Sequence, residues 1–324
     1  MKKFFKMFFL ILFIAIIILT VVFRKRIMLS YRIAEKYISL KSRAWPTQEL
    51  DVEKSSSSMN YKDVIYKNTN GVPLTLDIYG PKNKVYKSSP VILYVHGGSW
   101  VYGDKSIPEA LSPILDTFRD QGYTIISTSY ELMRSKENFN KQISDVKDTI
   151  RWIYKNESTY NFDTNEIGVL GVSSGAHLAL MASYSNENEF TDDLALSKYS
   201  SKVKYLIDFA GPTDLSLLNT TNLNYDLTKV FASISNKEDV IKKYNPINYV
   251  KKSDPNTLII HSYLDDVVPY ESSKKLYNKC IEIGAKADLI TLNSTAHDLS
   301  SISNIDVTSL SEGLLKFVIF NSPL

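Results

Sequence analysis

Residues 167–178 read Ile-Gly-Val-Leu-Gly-Val-Ser-Ser-Gly-Ala-His-Leu. An apolar, β-prone run at 167–170 breaks into Gly171-Val172-Ser173-Ser174-Gly175 and resumes as the helix-forming Ala176-His177-Leu178-Ala179-Leu180. This is G-x-S-x-G between a strand and a helix. The glycines have a physical reason: the chain must fold back sharply to lift one serine hydroxyl above the sheet, and a side chain at either flank would collide with the turn. Ser173 lies between them, whereas with Ser174 raised, Val172 would occupy the upstream glycine's place. The start of the following helix favours negative charge. Ser173 is therefore the candidate nucleophile, and the Ser174 N–H a candidate donor to an oxyanion.

A serine hydroxyl is inert near neutral pH unless a base takes its proton, and the base must itself be oriented by a carboxylate. The chain has four histidines. His96 ends a strand before two glycines, His177 lies inside the helix, and His261 ends the strand before an acidic loop. His297 follows the last strand in the polar loop Asn293-Ser294-Thr295-Ala296-His297-Asp298, and is the candidate base. The acid is expected in Ser262-Tyr263-Leu264-Asp265-Asp266-Val267-Val268-Pro269. Asp265 is preferred, with Asp266 as its competitor, and the order along the chain is then Ser, Asp, His. The other side of an oxyanion hole is expected in His96-Gly97-Gly98-Ser99-Trp100. Its glycines let the backbone approach a bound acyl group, so the N–H groups around Gly98 and Ser99, with Gly97 contributing, are assigned to it. Trp100 and Tyr102 are expected beside the substrate pocket.

Outward from these residues, β-prone runs at 74–79, 91–96, 123–127, 167–170, 205–209, 257–261 and 288–292 alternate with helical patterns at 108–121, 142–154, 174–185, 270–283 and 310–320. In the second helix Ile143, Val146, Ile150 and Ile153 share one face. Such alternation predicts the α/β class, a mostly parallel sheet flanked by helices in one domain spanning 61–324. The polar, weakly periodic stretch 215–250 reads as a small cap insertion over the sheet's C-terminal edge, where such folds bind ligands. The single cysteine, Cys280, excludes an internal disulfide framework and reads as a small buried residue on a helix.

The net charge of +3 is unevenly spread. Residues 1–43 hold ten Lys/Arg and one acid, leaving 28 basic against 34 acidic residues in the remainder. Without a basic run or zinc-like Cys/His spacing in the globular part, nucleic acid is not an expected partner, and no metal or organic cofactor is implied. Lys2, Lys3 and Lys6 precede an unbroken apolar run at 7–23, and Arg24, Lys25 and Arg26 follow at once. At 1.5 Å per residue the run is about 25 Å long, near the lower limit for a transmembrane helix. With no small-residue cleavage site, residues 1–30 are expected to be an uncleaved, single-pass membrane anchor, and 31–60 a polar linker. With Arg32 and Lys36 the cations are slightly more numerous after the run, which by the charge rule alone favours a cytoplasmic domain. A Lys-rich start ahead of an apolar helix, as in exported anchored proteins, favours an extracytoplasmic catalytic domain, and this is the expectation.

The residues quoted above, with Asp77-Ile78-Tyr79 and Gly211-Pro212-Thr213-Asp214-Leu215, resemble the α/β-hydrolase serine esterases with an HGG oxyanion loop, the BD-FAE-like and acetyl-xylan-esterase-like branch. The resemblance covers about 74–320 and implies that Ser173, Asp265 and His297 form a triad acting on a small-molecule or glycan ester. Ser262 and Ala296 stand where that family often has glycine. Prolyl-peptidase-like or amidase activity, and a binding protein that has lost turnover, are the alternatives within the same fold.

Overall fold

Strand β3 (Ser89–Val95) is buried at every position, as a continuous apolar run between two neighbours requires. In the computed structural model it lies inside an eight-stranded sheet of order β1-β2-β4-β3-β5-β6-β7-β8. The structure describes residues 13–28, 31–32, 59–69, 71–108, 111–218, 228, 232, 234–297 and 302–323. The other strands are β1 (Tyr61–Thr69), β2 (Val72–Tyr79), β4 (Thr124–Thr128), β5 (Phe162–Val172), β6 (Tyr205–Phe209), β7 (Asn256–Ser262) and β8 (Ala287–Leu292). The pairs β1/β2 and β2/β4 are antiparallel and the rest parallel. Helices α1 (Ser112–Asp120), α2 (Phe139–Lys155), α3 (Glu157–Tyr160), α4 (Ser174–Tyr184), α5 (Lys237–Tyr244), α6 (Tyr270–Ile283) and α7 (Asn304–Asn321) follow in the same chain, with short 3-10 turns at Leu215–Leu217 and Pro246–Tyr249. One core cluster joins α2 and α4 to the sheet, and another holds Leu115, Phe118 and Phe317 from α1 and α7.

All seven predicted strands are present, and β1 is an addition. It is an edge strand in which only Tyr66 and Lys67 among the described positions are buried, so it shows no clear apolar alternation. Lys67 replaces an apolar contact by a charged one: its ammonium lies 2.9 Å from Asp145 and 2.6 Å from Asp148, both on α2. Burial alone would lower the lysine's pKa, but the two carboxylates outweigh it and raise it. An ion this deeply placed is tolerated only when paired in this way.

The N-terminal expectation is corrected in part. Residues 13–22 are helical and expose Phe13, Ile18 and Val21, but among the described residues no helix is long and apolar enough to cross a membrane. The expected transmembrane helix is therefore not found there; its first apolar residues, 7–12, and most of the expected linker lie outside the described residues. The cap at 215–250 is described only in part. Its described end packs inward, with Tyr244 and Val250 buried, and the His177 Nε2–H donates to the Tyr244 carbonyl at 2.8 Å.

Candidate active site

Strand β5 delivers Ser173 to the end of the sheet, and α4 starts immediately behind it. Ser173 has φ +53° and ψ −123°, a left-handed conformation that costs a non-glycine residue of order 1–3 kcal/mol and persists only where the surroundings hold it. Here the Ser173 N–H donates to the Phe209 carbonyl at 2.8 Å, and its carbonyl accepts from the Ala176 and His177 N–H groups at 2.9 and 3.1 Å. Both flanking glycines are required by contact: a Cβ at Gly171 would lie 2.5 Å from the Ala176 Cα, and one at Gly175 would run into the Val95 and His96 carbonyls.

His297 and Asp265 meet this serine from two further loops. His297 Nε2 is 2.9 Å from Ser173 Oγ, and His297 Nδ1 is 2.6 Å from Asp265 Oδ2. With the proton on Nδ1 donated to the carboxylate, Nε2 is left free to accept from the serine hydroxyl. The Asp265 side chain is fully buried, while that of His297 is 19% exposed. Asp265 Oδ1 accepts the N–H groups of Val267 and Val268 at 2.9 and 2.8 Å. Burial would raise the Asp265 pKa, but hydrogen bonds from His261 and His297 outweigh it and hold the carboxyl far below the usual carboxylate range. Asp266, the competing acid, is exposed and makes none of these contacts.

The loop at His96–Trp100, where the sequence places the expected oxyanion hole, leans on the same turn. A Cβ at Gly97 would touch the Val172 carbonyl at 3.0 Å and the Ser173 Cβ at 3.3 Å, so the loop backbone lies beside the serine. Gly98 takes φ +125°, and a side chain there would strike the Tyr102 carbonyl. Ser99 and Trp100 are also left-handed, at φ +53° and +64°. Two side chains that the sequence reading passed over pin this strained loop: the Tyr130 hydroxyl donates to the His96 carbonyl at 3.0 Å, and the buried Gln142 amide donates to the Trp100 carbonyl at 2.9 Å. Neither has a motif to mark it.

The structure separates the two expected pocket residues. Tyr102 is 47% exposed on the loop. Trp100 instead turns its indole into the core, edge-on to Phe139, with Nε1–H donating to His177 Nδ1 at 3.2 Å. The left-handed pair at Ser99 and Trp100 turns the chain where the ring enters the core beside Phe139 and His177. His177 is thereby fixed as the Nε2–H tautomer, and burial lowers its pKa to about 4. The Gly211–Leu215 motif is structural too: the Thr213 and Asp214 N–H groups both donate to Ser272 Oγ at 2.9 Å, tying the loop after β6 to α6.

A family model described as BD-FAE matches residues 76–280, more than half of the chain. The chain belongs to the BD-FAE family. Among relatives of this BD-FAE member is Esterase LipC of Mycobacterium tuberculosis, 27% identical over 63% of this chain and 51% of its own. Isoprenylcysteine alpha-carbonyl methylesterase ICME of Arabidopsis thaliana is 24% identical over 68% and 53%. The chain thus spans about half the length of these curated relatives. Among solved structures, a truncated carbohydrate esterase from gut microbiota superposes with a TM-score of 0.66 at 25% identity, covering 80% of this chain and 96% of that one. The apo form of Thermogutta terrifontis esterase 2 superposes at 0.64 with 21% identity, covering 80% and 94%, and shows the shared fold.

One buried carboxyl beside the elbow lies outside the Ser173, Asp265 and His297 set. Asp208 on β6 pairs in register with Gly171, accepts the Gly211 N–H at 2.9 Å through Oδ1, and has no partner for Oδ2 among the described residues. Burial pushes its pKa from 3.8 up to about 7. The folded state therefore holds a proton that the unfolded state has released between those two values, so stability falls as pH rises from about 4 to about 7. At one pKa unit per ~1.4 kcal/mol, the loss is of order a few kcal/mol. Asp208→Asn keeps the acceptor and removes the titration. Its melting temperature should match the wild type near pH 4, exceed it increasingly up to about pH 7 and hold that margin above; a difference independent of pH would contradict the assignment.

Proposed function

We propose that this protein hydrolyses carboxylic esters through an acyl-enzyme on Ser173, with His297 as general base and Asp265 orienting the imidazole. The observation that carries the reading is the unbroken chain from Ser173 Oγ to His297 Nε2 at 2.9 Å and from His297 Nδ1 to Asp265 Oδ2 at 2.6 Å. As Ser173 Oγ bonds to the acyl carbon, its proton passes to His297 Nε2, and the carbonyl oxygen becomes an oxyanion. The backbone N–H groups of Gly97, Gly98, Ser99 and Ser174 form the hole that receives this charge. Collapse breaks the bond to the leaving alcohol, which takes the proton from His297. Water then enters by the same route: His297 removes its proton, the hydroxide adds to the acyl carbon, and Ser173 leaves reprotonated.

Short-acyl esters, including acetylated carbohydrate, are the proposed substrates. The likeness to a carbohydrate esterase supports the glycan part of this reading. The full chain in detergent is expected to turn over p-nitrophenyl acetate and butyrate and to act more slowly on octanoate. A folded protein that hydrolyses none of the three would overturn the proposal.

The N-terminal segment is proposed to hold the enzyme at a membrane, with the catalytic domain outside the cytoplasm. Its helical residues expose Phe13 at 61% and Val21 at 69%, an apolar surface that suits lipid better than water. After it, the Arg26 Nε–H donates to the Ser322 carbonyl at 2.7 Å, and the Lys25 ammonium lies 4.6 Å from the Tyr86 ring centroid. Tyr86 precedes β3 and Ser322 follows α7, so both contacts lie at the edge where the parallel strands begin. Ser173, Asp265 and His297 stand at the opposite edge. This arrangement supports a site turned away from the proposed membrane, toward substrates in solution or in a wall polymer. Loss of the domain from intact cells on protease treatment, without lysis, is the test of its side.

A further inference from the structure

Asp265 is held by a second histidine. Behind the loop that carries it, His261 lies one residue before the end of β7 with no exposed surface, and its ring is fixed at both nitrogens. Nδ1 lies 2.7 Å from the hydroxyl of the equally buried Ser273 on α6. Nε2 lies 2.9 Å from the Val268 carbonyl and 3.1 Å from Asp265 Oδ2. The carbonyl can only accept, so the proton belongs on Nε2, and the Ser273 hydroxyl donates to Nδ1. The Nε2–H is thus shared between Val268 and the same carboxylate oxygen that receives His297 Nδ1 at 2.6 Å. Among the described residues, these two histidines are the only basic side chains within 4 Å of the Asp265 carboxylate.

We propose that His261 is a positioning residue for this site: its Nε2–H anchors Asp265 Oδ2 and so sets where the carboxylate meets the His297 imidazole. The inference rests on the reading of Ser173, Asp265 and His297 as the reacting set. The physical argument is geometric. Val267 and Val268 hold Oδ1, which leaves the carboxylate free to rotate about that end unless Oδ2 is held independently of the moving base. His297 is partly exposed in a loop, whereas His261 is part of the sheet. An anchor on the sheet lets the carboxylate keep its place while His297 takes up and releases a proton.

Two near-isosteric variants isolate the N–H from the volume. His261→Met removes the donor and fills the space; His261→Gln restores an amide N–H at a similar reach. With p-nitrophenyl acetate, Met is expected to lower kcat by about 10-fold or more with little change in KM, as loss of a group that orients a reacting side chain does, and Gln to recover most of it. The downfield proton resonance of His297 Nδ1–H is a readout that needs no turnover, and it should move upfield in the Met variant, as its bond to an unanchored carboxylate weakens, and return in Gln. Met with wild-type kcat and resonance would overturn the proposal, as would a folded Gln variant as impaired as Met. If Met does not fold, the nitrogen chemical shifts of His261 in the wild type decide: a proton on Nδ1 instead of Nε2 removes the anchor. Absence of ester turnover in the wild type would sink the esterase reading, while the resonance and tautomer would still test the contact.

Discussion

Ser173→Ala is expected to lower kcat/KM for p-nitrophenyl acetate by about 10⁵-fold or more, leaving a protein that folds as the wild type does. The loss corresponds to about 7 kcal/mol of transition-state stabilisation, a scale that removal of one hydrogen bond does not reach and removal of the bond-forming atom does. Stability should not follow activity, because the strain at Ser173 belongs to its backbone at φ +53° and alanine inherits it. His297→Ala should cost about as much as Ser173→Ala, and the double variant little more than either, since a nucleophile without its base and a base without its nucleophile fail in the same step. Steady-state kinetics beside thermal melts of the three proteins provide the check. A Ser173→Ala protein within 10-fold of wild type would mean that another group attacks, and Ser174, the adjacent hydroxyl, would be the first to examine.

The sheet was readable because parallel strands buried on both faces leave apolar runs that need no partner to be recognised, as Val91–Val95 shows within β3. Strand β1 was not, since its inward positions are filled by Tyr66 and by Lys67, whose burial depends on carboxylates about 80 residues away on α2. The three candidate side chains, Ser173, Asp265 and His297, were legible for a related reason: each lies just past a strand, and a sheet brings its strand ends together whatever the sequence distance between them. Contacts that depend on how a loop turns were hidden. Nothing in His96-Gly97-Gly98-Ser99-Trp100 announces that two consecutive non-glycine residues take positive φ, or that the Trp100 indole bonds to His177. His261 and Asp265 are four residues apart, a spacing that signals contact on a helix but has no fixed meaning across a strand end and a turn. The preference for Asp265 over Asp266 rested on loop position alone; the geometry adds four donors around one carboxylate and leaves the other in solvent.

Those four donors make Asp265→Asn a sharper test than deletion. The asparagine oxygen can still accept the Val267 and Val268 N–H groups in the place of Oδ1, which orients its amide NH₂ toward the position of Oδ2. Both groups that met Oδ2, His297 Nδ1 and His261 Nε2, donate there in the wild type, so donor would face donor at 2.6 and 3.1 Å. The histidine free to respond is His297, because His261 remains bound to the Val268 carbonyl and Ser273. His297 relieves the conflict by moving its proton to Nε2, where Nδ1 accepts from the amide and the ring points an N–H at Ser173 Oγ. An imidazole in that tautomer has no lone pair for the serine proton. The expected result is a fall in kcat of about 10⁴-fold with KM nearly unchanged, since the charge that stabilises the imidazolium is lost with the tautomer. Asp266→Asn, whose side chain touches none of this, should stay within a few-fold of wild type. If Asp265→Asn retained a tenth of wild-type kcat, the carboxylate would be a structural support for the loop, and the proton relay through His297 would have to be oriented by something else.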